Sequence, residues 1–280
     1  MLNIRLMSEA DIAVGMRLKA QAGWNQLDGD WRRFLDMQSD GCFLAELDGV
    51  PVGTTGVCVF GPIAWIAMVL VDAQLRGKGI GRALMEHALA FADRQGVRTV
   101  RLDATPMGQP LYEKLGFVAE YTLSRYGGAM QAVAGAPFER VTAAQRTDFE
   151  SIFHLDQAVS DTDRRKLISR LLAERPEEAR VVRQGDKLAG YLTVRPGCNA
   201  LQIGPCMASA ESGPLLLADA AARYAGRSVF IDIPQQNRAA ASFAEQAGLT
   251  VQRPLVRMTR GPRINEDMSR LWASSGPELG

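Results

Sequence analysis

The sequence predicts an α/β (α+β) protein of two tandem domains, each a twisted mixed sheet flanked by helices. Three observations carry that expectation. Residues 63–102 read as strand, glycine loop, helix and strand, the pattern of a crossover between parallel strands. The second half repeats landmarks of the first, since Asp11 and Asp148, like Gly53 and Gly190, stand 137 residues apart. A chain of 280 residues also divides better into two domains than it fills one.

Composition narrows the function classes. Apolar content of 47% with 22% charged residues describes a globular chain. A formal net charge of +1 argues against a nucleic-acid partner. No apolar run reaches the length of a bilayer, and Met1-Leu-Asn-Ile-Arg-Leu6 lacks the basic flank and long apolar core of a leader. No membrane partner is expected, and the location expected by default is cytoplasmic. Cys42, Cys58, Cys198 and Cys206 are scattered, with no Cys-x-x-Cys, and only two histidines accompany them, so no metal site is expected.

Taken in order, Asn3–Leu6 is a first strand, and Ser8-Glu-Ala-Asp11 resembles a capping box before a helix through Ile12, Met16 and Leu18. The stretch from Gly23 to Trp31 is rich in turn residues and carries Trp24, Asn25 and Trp31. Residues 43–54 form two strands joined at Asp48-Gly49, a strong hairpin signal. Ile63–Val71, which contains Trp65, is nearly all apolar and too short to span a membrane, as a strand buried on both faces should be. Gly81, Leu84, Ala88 and Phe91 recur at helical spacing, with Gly96 as a stop, and Val97–Leu102 returns to strand. The first domain is expected to span 1–128, with the small residues 127–137 as a linker. In the second domain, 138–260, Asp148 leads a helix and Val181–Gly190 mirrors the first hairpin. The tail 261–280 spaces Ile264, Met268, Leu271 and Trp272 as one amphipathic helix docked on the body.

The chemistry gathers at Val69–Leu84. Gly77, Gly79 and Gly81 clear side chains from the start of a helix, whose unpaired N–H groups and dipole face outward. Arg76, Lys78 and Arg82 add charge around the same point. Such a loop suits phosphate. It is not a nucleoside-triphosphatase loop, which ends in Gly-Lys-Ser/Thr, nor the dinucleotide fingerprint, which follows the first strand of a domain. Arg76-Gly-Lys-Gly79-Ile-Gly81 resembles the Arg/Gln-x-x-Gly-x-Gly/Ala signature of the GNAT acyltransferase superfamily. A second landmark follows at the expected distance. Thr105-Pro-Met-Gly108-Gln-Pro-Leu111-Tyr112-Glu-Lys-Leu115-Gly116-Phe117 is similar to the family's Asn-x-x-Ala-x-x-Leu-Tyr-Glu-Lys-x-Gly-Phe, departing at Thr105 and Gly108. The second half meets the same frame at Asn237-Arg-Ala-Ala240 through Gly248-Leu249, with Ala244 where Tyr112 stood. Its counterpart of the loop, Cys206 to Pro214, has one glycine, no basic residue and Glu211. The chain is thus similar to a tandem GNAT protein whose second domain is degenerate.

That resemblance implies an acetyl-CoA-dependent N-acetyltransferase acting on a small-molecule or amino-acid-like amine, as a monomer or homodimer. Acetyl-CoA is the cosubstrate it implies, held by Met68, Val69, Leu70 and Val71, by the loop Arg76, Gly77, Lys78, Gly79, Ile80, Gly81 and Arg82, and by Thr105 and Tyr112. Tyr112 would protonate the departing sulfur. Trp24, Asn25, Trp31 and Trp65 are expected around the acceptor. The strand before the loop, Ala64-Trp-Ile-Ala-Met68, offers no ionisable group where many members carry a glutamate, which leaves Asp28, Asp30, Asp103 or a held water as base. His87 and His154 are expected to be structural. Without a base, the alternative is a catalytically inactive CoA-responsive binding protein.

Overall fold

The structure, a computed structural model, describes residues 1–133 and 140–280. It holds two compact units. The first is Met1–Ala119 with Met258–Arg263, the second Glu120–Arg257 with Ile264–Gly280.

In the first unit β1 (Leu2–Leu6), β2 (Cys42–Leu47), β3 (Val50–Phe60) and β4 (Ile63–Val71) lie side by side, antiparallel. β5 (Thr99–Ala104) pairs with β4 in parallel after α3 (Ile80–Arg94), the crossover read from the sequence. β5 starts two residues later than expected because the N–H groups of Arg98 and Thr99 first donate to the Pro62 carbonyl (2.8 and 3.1 Å). Asp48 (φ 50°) and Gly49 (φ 79°) make the two-residue hairpin turn that the right-handed twist of the strands favours. Before α1 (Ile12–Gln21), the Ser8 N–H donates to the Asp11 carboxylate (2.8 Å), which also takes a two-pronged bond from Arg5 (2.8 and 2.9 Å). Helices cover both faces of the sheet through glycines. A Cβ on Gly56 would stand 2.8 Å from the Phe34 ring, and one on Gly53 2.9 Å from Leu84 of α3.

The turn-rich reading of Gly23–Trp31 holds only to Leu27. Asp28–Met37 is α2, started where Asp30 accepts from the Leu27 N–H (2.8 Å). Asp28-Gly-Asp30 is poor helix sequence, but Trp31, Phe34 and Leu35 form one buried stripe, and tertiary packing overrides local propensity. α4 (Gln109–Lys114) and the first two residues of β6 (Val118–Ala129) end this part of the unit.

The second unit repeats the plan. β7 (Val141–Ala143) is followed by α5 (Phe149–Ser160), α6 (Arg165–Glu174), β8 (Arg180–Gln184), β9 (Lys187–Arg195), β10 (Leu201–Ala208), α7 (Gly213–Arg223), β11 (Ser228–Pro234) and α8 (Arg238–Gln246). β12 (Thr250–Arg260) and β13 (Leu271–Ala273) complete the chain. β10 and β11 are parallel, as β4 and β5 are. Gln145 and Asp148 reproduce the turn of Ser8 and Asp11. The repeated glycine has a shared reason, since a Cβ on Gly190 would meet Leu216 of α7 at 2.9 Å, as one on Gly53 meets Leu84.

The compact units are bounded differently from the expected 1–128 and 138–260. β6 crosses from one unit to the other after Ala119, and its Leu123–Ala129 pair with Ser228–Pro234 of β11. β12 crosses back after Arg257. Gly127–Ala129, expected to open a linker, are therefore strand. Gly127 lacks the Cβ that would stand 2.7 Å from the Phe230 ring. Positions 134–139, which include the rest of that expected linker and the start of the second domain, lie outside the described residues. The amphipathic helix expected for 261–280 is also not formed. Leu271–Ala273 is a strand on β10, and Trp272 is buried with its indole N–H on the Ala208 carbonyl (3.2 Å). Apolar spacing alone could not separate a helix from a three-residue strand buried on both faces.

Candidate active site

The site is set by a gap in the first sheet. The parallel ladder between β4 and β5 ends at Trp65 opposite Arg101, so the backbone of Ile66–Val71 runs on without a ladder to β5. Between Thr54 and Gly56 the β3–β4 register shifts, and there Met68 takes φ 55°. A left-handed non-glycine residue inside a buried strand costs about 1–2 kcal/mol. The Thr54 hydroxyl, donating to the Met68 carbonyl at 2.9 Å, helps hold it. Met68, Val69, Leu70 and Val71 thus present a bent strand at the gap.

Beyond Val71 the exit is pinned from α1. Asp72 accepts from the Gln74 N–H (3.1 Å), from Gln21 (3.3 Å) and from Arg17, and Gln21 accepts from the Ala73 N–H (3.0 Å). The Arg17 bond, first among these, holds the Asp72 carboxyl below the usual range. Arg17 and Gln21 were not singled out from the sequence, and only their spacing of four on one helix hints at a shared target. Gly77 (φ 79°) and Gly79 (φ 82°) are left-handed, and a Cβ on either would meet open space. The backbone conformation requires glycine there, while the space above stays clear. Gly79 caps α3, whose first intrahelical bond runs from the Ala83 N–H to the Gly79 carbonyl (3.0 Å). The N–H groups of Ile80, Gly81 and Arg82 precede it, as an anion seat needs. Gly81 has no positive φ, and a Cβ would make ordinary contacts at 3.6 and 3.7 Å, so nothing in the fold itself demands glycine there. Of the three cations, Arg82 is drawn to Glu86 (2.8 Å) and Arg76 makes a long bond to the Val71 carbonyl (3.4 Å). Lys78 makes no ion pair among the described residues.

Thr105 explains one departure from the family frame. Its hydroxyl accepts from the Gly108 N–H (3.3 Å), as the Asn237 side chain accepts from the Ala240 N–H (3.1 Å) in the second unit. Gly108 explains the other, because the Tyr112 ring folds back over it and a Cβ would stand 2.8 Å from that ring. Tyr112 is buried beside Phe117, its ring centroid 6.1 Å away, and its hydroxyl makes no hydrogen bond among the described residues. Burial pushes its pKa up to about 12.

The acceptor-side candidates are mostly buried. Trp31 is only 2% exposed and packs on α1, where a Cβ on Gly15 would be 2.7 Å from its indole, so it belongs to the core. Trp65 is buried on β4 and Asn25 is buried ahead of α2, while Trp24 is half-buried. Two candidate bases have structural tasks. Asp30 starts α2 and pairs with Arg33 (2.6 Å), and Asp28 is exposed beside Arg32 (3.7 Å). Asp103 is half-buried on β5 and engaged with a neighbouring group. His87 meets the edge of the Phe43 ring (4.5 Å), and burial lowers its pKa, as suits a neutral packing residue. His154 lies in the second unit, on a groove with Lys187 and Arg270. Among the described residues no cluster of His, Cys, Asp or Glu could hold a metal ion, and no helix is long and apolar enough to cross a membrane.

Comparison with known proteins agrees with this architecture. A family model described as "Acetyltransferase (GNAT) family" matches residues 16–117, and one described as "Acetyltransferase (GNAT) domain" matches residues 152–273. The chain is 26% identical over 262 residues to "Holothin acyltransferase" of Pseudoalteromonas sp., covering 92% of this chain and 87% of that protein. It is 27% identical over 234 residues to "Uncharacterized N-acetyltransferase YitH" of Bacillus subtilis, covering 82% of each. A crystal structure of a putative acetyltransferase from Pyrococcus horikoshii superposes with a TM-score of 0.85 at 25% identity, covering 100% of this chain and 96% of that one.

Proposed function

The chain belongs to the GNAT acetyltransferase family, carries two domains of it and is an acyltransferase; from that premise we propose that its first unit is an acetyl-CoA-dependent N-acetyltransferase for a small-molecule or amino-acid-like amine. One observation carries the reading. Beside the open edge of β4, a loop with two left-handed glycines leaves clear space at a helix N-terminus, next to Lys78, which makes no ion pair among the described residues. The residues fit acetyl-CoA. Its phosphates suit the N–H groups of Ile80–Arg82 with Lys78 and Arg76, and its amide-bearing arm suits the strand-like edge of Met68–Val71. When bound, it supplies an acyl group activated as a thioester.

The protein's own part is positioning and proton control. Transfer forms a C–N bond and breaks a C–S bond, so one proton leaves the amine and one reaches the sulfur. Backbone N–H groups at the bend of β4 are suited to the acyl oxygen as it gains charge. Tyr112, fully protonated at neutral pH, donates toward the sulfur. β4 carries no carboxylate to collect the amine proton, Asp30 is engaged at the start of α2 and Asp103 with a neighbouring group, and Asp28 is exposed, so this reading gives the proton to water. Its rate should therefore rise with pH until the amine itself is deprotonated. The name of the Pseudoalteromonas relative, an acyltransferase for holothin, supports transfer of an acyl group by this architecture. Four free cysteines, three of them buried, suit a reduced, cytoplasmic setting.

The test is release of free thiol from acetyl-CoA against a panel of amines. Turnover with an amine supports the reading. Tight CoA binding with no turnover on any acceptor would instead make the chain a CoA-responsive binding protein.

A further inference from the structure

The second unit contains the same gap as the first, and it is filled. The β10–β11 ladder ends at Ile203 opposite Ile231, one residue further along the repeat than Trp65 opposite Arg101. Cys206, Met207 and Ala208 stand 137 residues after Val69, Leu70 and Val71. On that edge of β10 lies β13, with Ala273 opposite Cys206 and Leu271 opposite Met207. The Ala208 N–H donates to the Arg270 carbonyl (2.9 Å), and the Ser274 N–H donates to Asp232 of β11 (2.9 Å), so the segment is bonded to both walls. Trp272 lies over Gly213, the first residue of α7, where any Cβ would overlap the indole. Beyond it, Arg164 donates to Ser275 (3.1 Å) and to the Gly280 carbonyl (2.6 Å) while paired with Asp156 (2.6 Å), and Arg195 pairs with Glu278.

We propose that Leu271–Ser275 is a built-in occupant of the slot that the first unit keeps for the amide-bearing arm of its acyl donor. The second unit is thus an acyltransferase fold carrying peptide where a cosubstrate would lie. The inference rests on the reading of Met68–Val71 as the lining of that arm. The chemistry matches, because a peptide strand and a pantetheine arm both offer alternating amide donors and acceptors to an open strand edge. It also gives Trp272 a task, since the indole covers the helix start that glycines leave clear in the first unit. Loss of the phosphate loop is then one of two separate blocks on the second unit. The other does not depend on phosphate.

Amide hydrogen exchange on the full chain, read with CoA and with pantetheine, separates these. Pantetheine has no phosphate, so the missing phosphate loop cannot explain its exclusion. CoA should slow exchange tenfold or more within 68–82. Residues 201–208 and 271–275 should be protected from the outset and unchanged by either probe. Slowing of 201–208, or release of 271–275, by pantetheine overturns the proposal. Absence of any CoA effect in 68–82 instead sinks the proposed function, and the equivalence of the slots with it. A second arm uses Gly213→Ala, whose Cβ must expel Trp272. Residues 271–275 should then exchange at least tenfold faster, and pantetheine should newly slow 201–208. A folded variant with a released segment and no pantetheine effect overturns the equivalence. If that variant does not fold, the unaltered chain decides alone.

Discussion

Replacing Tyr112 by Phe removes one hydroxyl and keeps a ring that packs over Gly108 and beside Phe117. Because that hydroxyl has no partner among the described residues, the variant should melt with the parent. The kinetic cost follows from burial. With its pKa at about 12, the phenol would be uphill by roughly 3.5 units, close to 5 kcal/mol, in surrendering its proton to a thiolate whose own pKa is near 8.5. Full transfer is therefore too costly to be its main contribution. A hydrogen bond donated to a charged sulfur is worth about 1.5–3 kcal/mol. At about 1.4 kcal/mol per tenfold, turnover should drop roughly ten- to 150-fold, less than many general acids contribute. The affinity for acetyl-CoA should change little. The assay is thiol release across pH 6.5–10.5 with the best acceptor. The parent should show no fall in rate from tyrosine ionisation in that range. An unchanged kcat would reduce Tyr112 to packing, and a basic limb near pH 9–10 that vanishes in the variant would refute the raised pKa.

Gly79→Asn should retain CoA binding in calorimetry, because asparagine tolerates the left-handed φ of 82°. Gly79→Asp, nearly the same shape, should lose roughly a further hundredfold, since like charges set together cost several kcal/mol. Gly108→Ala restores the family residue yet should harm this chain. Its Cβ would lie 2.8 Å from the Tyr112 ring, and such overpacking costs about 1–3 kcal/mol, read as a lower melting temperature. Arg5 holds the Asp11 carboxyl well below the usual carboxylate range through their hydrogen bonds. The stability this contributes is present above the unfolded value near pH 4 and is lost as pH falls toward the folded one. Acid unfolding curves of Arg5→Gln should accordingly be flatter below pH 4 than those of the parent.

What could be read in advance was what neighbours in sequence decide. β4 runs from Ile63 to Val71 as its apolar run indicates, Asp48-Gly49 turns as that dipeptide prefers, and Gly96 (φ 71°) stops α3. The loop glycines and the frame around Tyr112 were visible because both are local. The bend at Met68 was not, since methionine gives no sign of φ 55° and the bend arises from register against Thr54. Trp31 was misplaced because Asp28-Gly-Asp30 resembles a turn until Phe34 is given a sheet to cover. Trp272 was misplaced because its partners, Ala208 and Gly213, lie about sixty residues earlier. The proposed cosubstrate lining is a stretch of chain, but an acceptor pocket would be a meeting of side chains, and Trp31, buried on α1, shows how poorly composition predicts which of them meet.

The crossing of β6 and β12 has a consequence for anyone who cuts this chain. The two halves of the sequence are not the two halves of the molecule. A fragment stopping at Gly128 would leave behind Met258–Arg263, and would carry away Leu123–Gly128 from opposite β11. Its bared edge would be a ready template for another chain, so precipitation of such a piece would say nothing about whether the first unit is sound. A single nick between Met130 and Arg140 is a different matter. Each product would still own part of the other's fold, and the pair should travel together as one species until denatured.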